Sequence, residues 1–314
     1  MAAIGGALWA AELAAARRIR RRDDPRAAEI LAPLDLPRRS VRSFDGTEIN
    51  VVEIGSGRPI VLVHGVTLSV RTWVGQYRAL AELGYRVIAI DQRGHGDSSV
   101  GDSGHAVEHL GDDLAEVVAG LELRDAVLVG HSMGGIAVQS FAIRHPEVVR
   151  ERVRGLVLLS TLCRTPVGSQ STRLRVAIER VAKRTPDTTR LWDTPNLGFL
   201  IARFGFGRAP YASEVELVRQ MLRDCPNDTR VNAPRALIGM DLTPDLAKID
   251  VPTIIICGTA DEITPPFHAR QLHANIAHSE LEWVDGGGHM LMLERTEWLN
   301  RRLAAFIEQV AVPS

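Results

Sequence analysis

The run Asp125 to Gly135, DAVLVGHSMGG, joins a short apolar segment to a helical one through Gly130-His131-Ser132-Met133-Gly134. A strand-turn-helix of this kind holds its serine strained and exposed, and glycines on both sides remove the Cβ atoms that would collide as the backbone folds back. Ser132 therefore reads as a nucleophile. A serine hydroxyl attacks poorly at neutral pH, so an imidazole must take its proton and return it to the leaving group. His289, on the Gly286-Gly287-Gly288 loop after the last apolar run, is the candidate base. Asp261, just past the run Thr253 to Gly258, is the candidate acid that fixes the imidazole's tautomer and stabilises its charged form. Glu262 is the fallback.

The other histidines have plainer readings. His64, His95 and His131 lie in turns where an imidazole braces backbone, and His105, His109, His145, His268, His273 and His278 read as helix or surface positions. Nothing points to a metal or an organic cofactor: there is no HExxH, no Cys/His ligand spacing and no GxGxxG after the first strand. Cys163, Cys225 and Cys257 are odd in number and widely spaced, as reduced thiols are.

These residues need a scaffold to bring them together. The 314 residues, 45% apolar with a formal net charge of -1, suit a globular domain and offer no footprint for nucleic acid. Val41 to Phe44 and Ile49 to Ile54 read as a hairpin turned by Asp45-Gly46. The later runs Ile60 to Val63, Val87 to Ile90, Ala126 to Val129, Leu156 to Leu159, Thr253 to Ile256 and Leu281 to Val284 are almost wholly Val, Ile and Leu. Such strands are covered on both faces of a mostly parallel sheet. Amphipathic stretches at Trp73 to Leu83, Val107 to Leu121, Ile136 to Arg144, Phe267 to Asn275 and Glu294 to Val310 supply the crossovers. The fold class is α/β, a mostly parallel doubly wound sheet.

About ninety residues separate the run ending at Leu159 from that starting at Thr253, far more than a crossover needs. Helical patterns at Thr172 to Lys183, Val215 to Leu222 and Arg230 to Met240, with breaks at Pro186, Pro195, Pro210 and Pro226, mark an inserted helical cap. The expected division is an N-terminal helix and linker (1–40), a core (41–161 and 246–314) and the cap (162–245). MAAIGGALWAAELAAA, followed by Arg17, Arg18, Arg20, Arg21 and Arg22, has its charge on the wrong side for a secretory signal and is interrupted by Glu12. It reads as a helix docked on the protein's own body or, in the second reading, lying on an anionic membrane surface. The expected location is cytoplasmic, with peripheral membrane contact on the second reading.

The strand-His64-Gly65 loop, Asp91-Gln92-Arg93-Gly94-His95-Gly96-Asp97-Ser98, the Ser132 elbow, Gly258-Thr259-Ala260-Asp261 and Gly288-His289 together resemble the α/β-hydrolase family from Val41 to Ile307. The chain also looks like actinobacterial esterase- and lipase-like members that pair an Ala- and Arg-rich leader with GHSMGG. The resemblance implies the order serine, acid, histidine seen here. Some relatives carry the acid after the preceding strand, where Leu158-Leu159-Ser160-Thr161-Leu162 offers no carboxylate. It also implies an oxyanion hole from the backbone N–H groups of Val66 and Met133. Leu68, Trp73, Phe199 and Phe206 are the candidate acyl-pocket residues, although such residues are as often plain core.

The resulting expectation is a serine hydrolase cleaving a small carboxylic ester with an apolar acyl group through an acyl-enzyme. Halide and epoxide opening use an aspartate nucleophile, against which Ser132 argues. Perhydrolysis, lactone opening, thioester cleavage and acyl transfer share the triad, and carbon-carbon bond hydrolysis has faint support in Arg190 and Trp192. From a different class, a ligand receptor that kept the pocket and lost turnover is an alternative, disfavoured by the intact triad.

Overall fold

The computed structural model describes residues 15–165 and 194–311. The expected helix at Thr172 to Lys183, the break at Pro186, Arg190, Trp192 and the apolar part of the leader up to Ala14 lie outside the described residues.

Eight strands form one sheet: β1 (Arg38–Arg42), β2 (Glu48–Ile54), β3 (Arg58–Val63), β4 (Tyr85–Ile90), β5 (Ala126–His131), β6 (Val153–Leu159), β7 (Thr253–Gly258) and β8 (Ser279–Val284), in the order β1-β2-β4-β3-β5-β6-β7-β8. β1 and β2 form the expected hairpin, with Val41 opposite Ile49 and Gly46 at φ +82° in the turn. A positive φ costs glycine nothing, so Asp45-Gly46 closes the hairpin without strain. β2 joins β4 antiparallel and every later pairing is parallel. The central strands are buried along almost their whole length, as their Val/Ile/Leu composition requires when helices cover both faces. Two large apolar cores result, one on each side of the sheet, with a small third cluster of Val107, Ile136 and Met240.

Three helical expectations change. Trp73 to Leu83 is two pieces, a 3₁₀ turn Val70–Trp73 and a helix Tyr77–Glu82, because Gly75 lies between them with its carbonyl taking a 2.8 Å hydrogen bond from the Asn300 side chain. Glu294 to Val310 is likewise split into Leu291–Glu294 and Thr296–Gln309, with Arg295 between them at φ -134°. Pro195, read as a break, instead opens the helix Pro195–Arg203. A proline at the first helical position lacks only an N–H that would have no intrahelical partner there. With Ala212–Asp224 and Asn227–Ala236, that helix makes up the described α-helices between β6 and β7. No helix among the described residues is long and apolar enough to cross a membrane.

Candidate active site

Ser132 stands between the end of β5 and the helix Met133–Arg144 with φ +53° and ψ -117°, a backbone state that costs a non-glycine residue on the order of 1–3 kcal/mol. The surroundings hold it there. Its N–H donates to the Leu159 carbonyl at 3.0 Å, and its own carbonyl takes a 2.6 Å bond from Thr161 Oγ1. A Cβ on Gly130 would run into the Gly134 carbonyl, and one on Gly134 into the carbonyls of Val63 and His64, so both glycines are required by close backbone approach. The residues after β6 serve the elbow in this way and carry no carboxylate.

Asp261 and His289 meet on the loops after β7 and β8. His289 Nδ1–H donates to Asp261 Oδ2 at 3.0 Å and lies 3.2 Å from Oδ1. Asp261 is further held by the N–H groups of Ile263 (2.9 Å) and Thr264 (2.8 Å) on Oδ1 and by the Thr264 hydroxyl (2.8 Å) on Oδ2. Burial pushes this carboxyl up, but the adjoining His289 and the donors of Thr264 outweigh it and hold it below the usual carboxylate range. Glu262, the fallback acid, is exposed.

Ser132 and His289 face one cavity of about 260 Å³. Among the described residues no hydrogen bond yet joins Ser132 Oγ to the imidazole; such bonds commonly tighten only with substrate in place. His131 ties the two arms together, since its Nε2–H donates to the His289 carbonyl at 3.0 Å and its ring lies 4.6 Å from the His289 ring, centroid to centroid. Burial keeps the His131 imidazole far below its usual pKa, hence neutral. His64 braces the neighbouring loop, accepting the Gln92 N–H on Nε2 at 3.0 Å while Nδ1–H donates to the Gly65 carbonyl at 2.7 Å.

The two expected oxyanion donors lie beside the serine. Val66 lines the cavity next to Gly65, where a Cβ would come within 3.1 Å of Ser132 Cβ, and its N–H has no partner among the described residues. Met133 opens the elbow helix, where the first N–H groups have no intrahelical acceptor.

The acyl-pocket expectations need correcting. Leu68 does line the cavity, but Trp73, Phe199 and Phe206 do not. Trp73 is fully buried in the core. Phe199 points into the core too, with the Arg20 guanidinium 4.3 Å from its ring centre. Phe206 lines a separate groove of about 780 Å³ on the far side of Ile201 and Phe204. Ile201, Phe204, Val218, Leu222, Ile263 and Met290 supply the apolar walls instead. For Ile201 and Phe204 the sequence signal is their spacing with Leu197 and Leu200, which places the four on one helix face. Thr264 was also missed; the Asp261-x-Ile263-Thr264 turn that seats it is visible only once the carboxylate's partners are known.

Among the described residues no three His, Cys, Asp or Glu side chains form a group that could hold a metal ion. The three cysteines are free and buried, and burial pushes the Cys257 thiol up to about 12.

The alpha/beta hydrolase family profile matches residues 60–302, and the chain belongs to that family. It is 33% identical over 277 residues to a non-heme haloperoxidase of Rhodococcus erythropolis, covering 85% of this chain and 98% of the relative. A non-heme chloroperoxidase of Kitasatospora aureofaciens is 31% identical over 272 residues, covering 84% and 98%. Among solved structures, an esterase from Exiguobacterium antarcticum superposes with a TM-score of 0.75 at 27% identity, covering 86% of this chain and 98% of that one.

Proposed function

We propose that this protein is a serine hydrolase of small carboxylic esters, working through an acyl-enzyme. The observation that carries the reading is the strained Ser132 facing the same cavity as an imidazole whose far nitrogen is held by a buried carboxylate. In the forward half-reaction Ser132 Oγ bonds to the carbonyl carbon as its proton passes to His289 Nε2. The carbonyl oxygen becomes an oxyanion facing the N–H groups of Val66 and Met133, each worth roughly 3 kcal/mol to the transition state. Collapse breaks the ester C–O bond, and the leaving alkoxide takes the proton back from His289. Water then repeats the sequence on the acyl-serine, releasing the acid. Asp261 stays ionised throughout and stabilises the imidazolium.

A cavity of about 260 Å³ is small beside the roughly 300–1,000 Å³ of pockets for larger ligands, which favours short apolar acyl groups. The test is turnover of p-nitrophenyl acetate and butyrate. Turnover by the parent and its loss in Ser132→Ala supports the reading; retention by the variant refutes it.

The haloperoxidase relatives favour a second reading at the same serine. Hydrogen peroxide in place of water would attack the acyl-serine, giving a peracid, which transfers an oxygen atom to halide and returns the carboxylic acid. Bromination of a phenol in acetate, peroxide and bromide, lost in Ser132→Ala, is the expected signature.

The leader reads as docked on the protein itself rather than on a membrane. Arg22 lies over the Tyr211 ring at 4.1 Å, Arg20 Nη1 donates to Asn196 Oδ1 at 2.7 Å, and the Ser213 N–H donates to Asp24 at 2.9 Å. On this reading the enzyme acts in the cytoplasm, and removing residues 1–24 leaves liposome sedimentation unchanged.

A further inference from the structure

Glu294 is half-buried, carries no role in the chemistry above, and gives its carboxylate to backbone. Oε2 accepts the Gly207 N–H at 2.8 Å and the Gly288 N–H at 3.1 Å, while Oε1 accepts Gly288 at 3.1 Å and Met290 at 3.2 Å. Two of those donors flank His289, and the third belongs to the segment between β6 and β7. The same two stretches are joined a second time: the Gly205 carbonyl accepts the N–H of His289 at 2.9 Å and of Met290 at 3.2 Å. No side chain fits between them, because a Cβ on Gly207 would meet the Gly286 carbonyl and one on Gly288 the Gly207 nitrogen. Gly205, Met290 and His289 all line the reactive cavity, so this seam forms one of its walls.

We propose that Glu294 is a positioning residue that clasps the insertion to the histidine loop, so that one carboxylate sets both the place of the His289 imidazole and the wall of the acyl cavity. A carboxylate suits the task because both its oxygens only accept, and three convergent N–H groups require acceptors on both sides. Charge-assisted bonds of this type are stronger than neutral ones. An amide at this position has one accepting oxygen and turns an NH₂ toward N–H groups. The opposite side of the histidine loop is fixed independently, by the Gly287 carbonyl accepting the Ala260 N–H at 2.9 Å. Losing the clasp therefore leaves the cavity side of the loop joined to the insertion by neutral backbone bonds, at the Gly205 carbonyl and from the Arg208 N–H to the Gly286 carbonyl at 3.4 Å, while the bond to the acid loop persists.

This inference rests on the serine-hydrolase reading for its kinetic consequence, but not for the clasp itself. The experiment compares the parent, Glu294→Gln and Glu294→Ala by three measurements: thermal midpoint, rate of Ser132 phosphonylation by a fluorophosphonate, and amide hydrogen exchange. In the parent, amides of 205–208 and 286–290 should be protected and open together. In folded Glu294→Gln both stretches should exchange faster in concert, and phosphonylation should slow by about tenfold to a hundredfold, as misplacement of a base does. Glu294→Ala should slow it at least as much. A lowered midpoint with an unchanged phosphonylation rate would make Glu294 merely structural and overturn the proposal. If neither variant folds, exchange in the parent decides: independent opening of the two stretches overturns the clasp. No labelling of Ser132 in the parent, with coupled exchange intact, would instead count against the hydrolase reading alone.

Discussion

Two buried carboxylates in this fold have opposite surroundings. Asp113 is gripped by Arg93, whose Nε and Nη2 each donate to it at 2.7 Å, while Nη1 reaches Asp45 at 3.1 Å and the Gly104 carbonyl at 2.7 Å. Its partner is a permanent cation, fully buried, and all three of its nitrogens donate to fixed protein acceptors. Asp261 is just as well satisfied, but its partner is the His289 imidazole, which borders a cavity. The first cluster is a strut that pins the loop after β4. The second, on the proposed reading, has a proton to exchange and a cavity beside it for a molecule to exchange it with. Burial and ion pairing alone do not mark a reactive site; a titratable partner at the edge of an accessible space does.

Breaking the two clusters should separate activity from stability. The largest effect belongs to Ser132→Ala, which should lower ester turnover by about a million-fold with a thermal midpoint close to the parent's. Asp261→Asn should cost about 10⁴ in kcat, since the imidazole loses its tautomer and the charge that steadies it. Asp113→Ala should do the reverse. Leaving Arg93 buried without its carboxylate should cost about 3–5 kcal/mol in urea unfolding, with kcat of the folded protein unchanged. A matching fall in kcat would erase the distinction drawn between the clusters.

Acid pH sharpens the contrast at the buried histidines that touch neither cluster's chemistry. Burial lowers His64 to about 4 and His95 to about 3. The unfolded chain protonates both near 6.5, so it binds more protons than the folded chain below that value, and stability falls as pH drops from about 6.5 toward 4. His95→Asn, which keeps a donor for the Arg93 carbonyl met at 2.9 Å, should make that acid slope shallower. An unaltered slope would contradict the assignment.

The smallest effect concerns the cavity. Phe204, 58% exposed, and Ile201 stand between the 260 Å³ cavity and the 780 Å³ groove. Phe204→Ala should open one into the other and raise the octanoate-to-acetate ratio of kcat/KM by about tenfold, the scale on which apolar contacts discriminate. An unchanged ratio would show that the groove takes no acyl chain.

What was legible in the sequence follows from how local each signal is. The elbow, the Asp45-Gly46 hairpin and the apolar strands are dictated by a few neighbouring residues, and the structure has them with ends shifted by a few positions. The candidate acid and base were placed by their positions after apolar runs and by the order that the family resemblance implies, and the structure brings their side chains into contact. The cavity walls were not, because apolarity says that a side chain is covered and not what covers it. Phe199 is closed over by Arg20, far away in the chain, and Trp73 by packing around a 3₁₀ turn that periodicity had extended into a longer helix. Glu294 looked like the start of the last helix because its acceptors serve backbone N–H groups, which leave no trace in side-chain pattern.

The most direct test of the central claim is mass mapping after exposure to a fluorophosphonate. The expected result is one phosphonyl adduct on the peptide containing Ser132, absent after Ser132→Ala and formed about 10³-fold or more slowly after His289→Ala. An unmodified Ser132 in the parent, or ester turnover that survives Ser132→Ala, would contradict it.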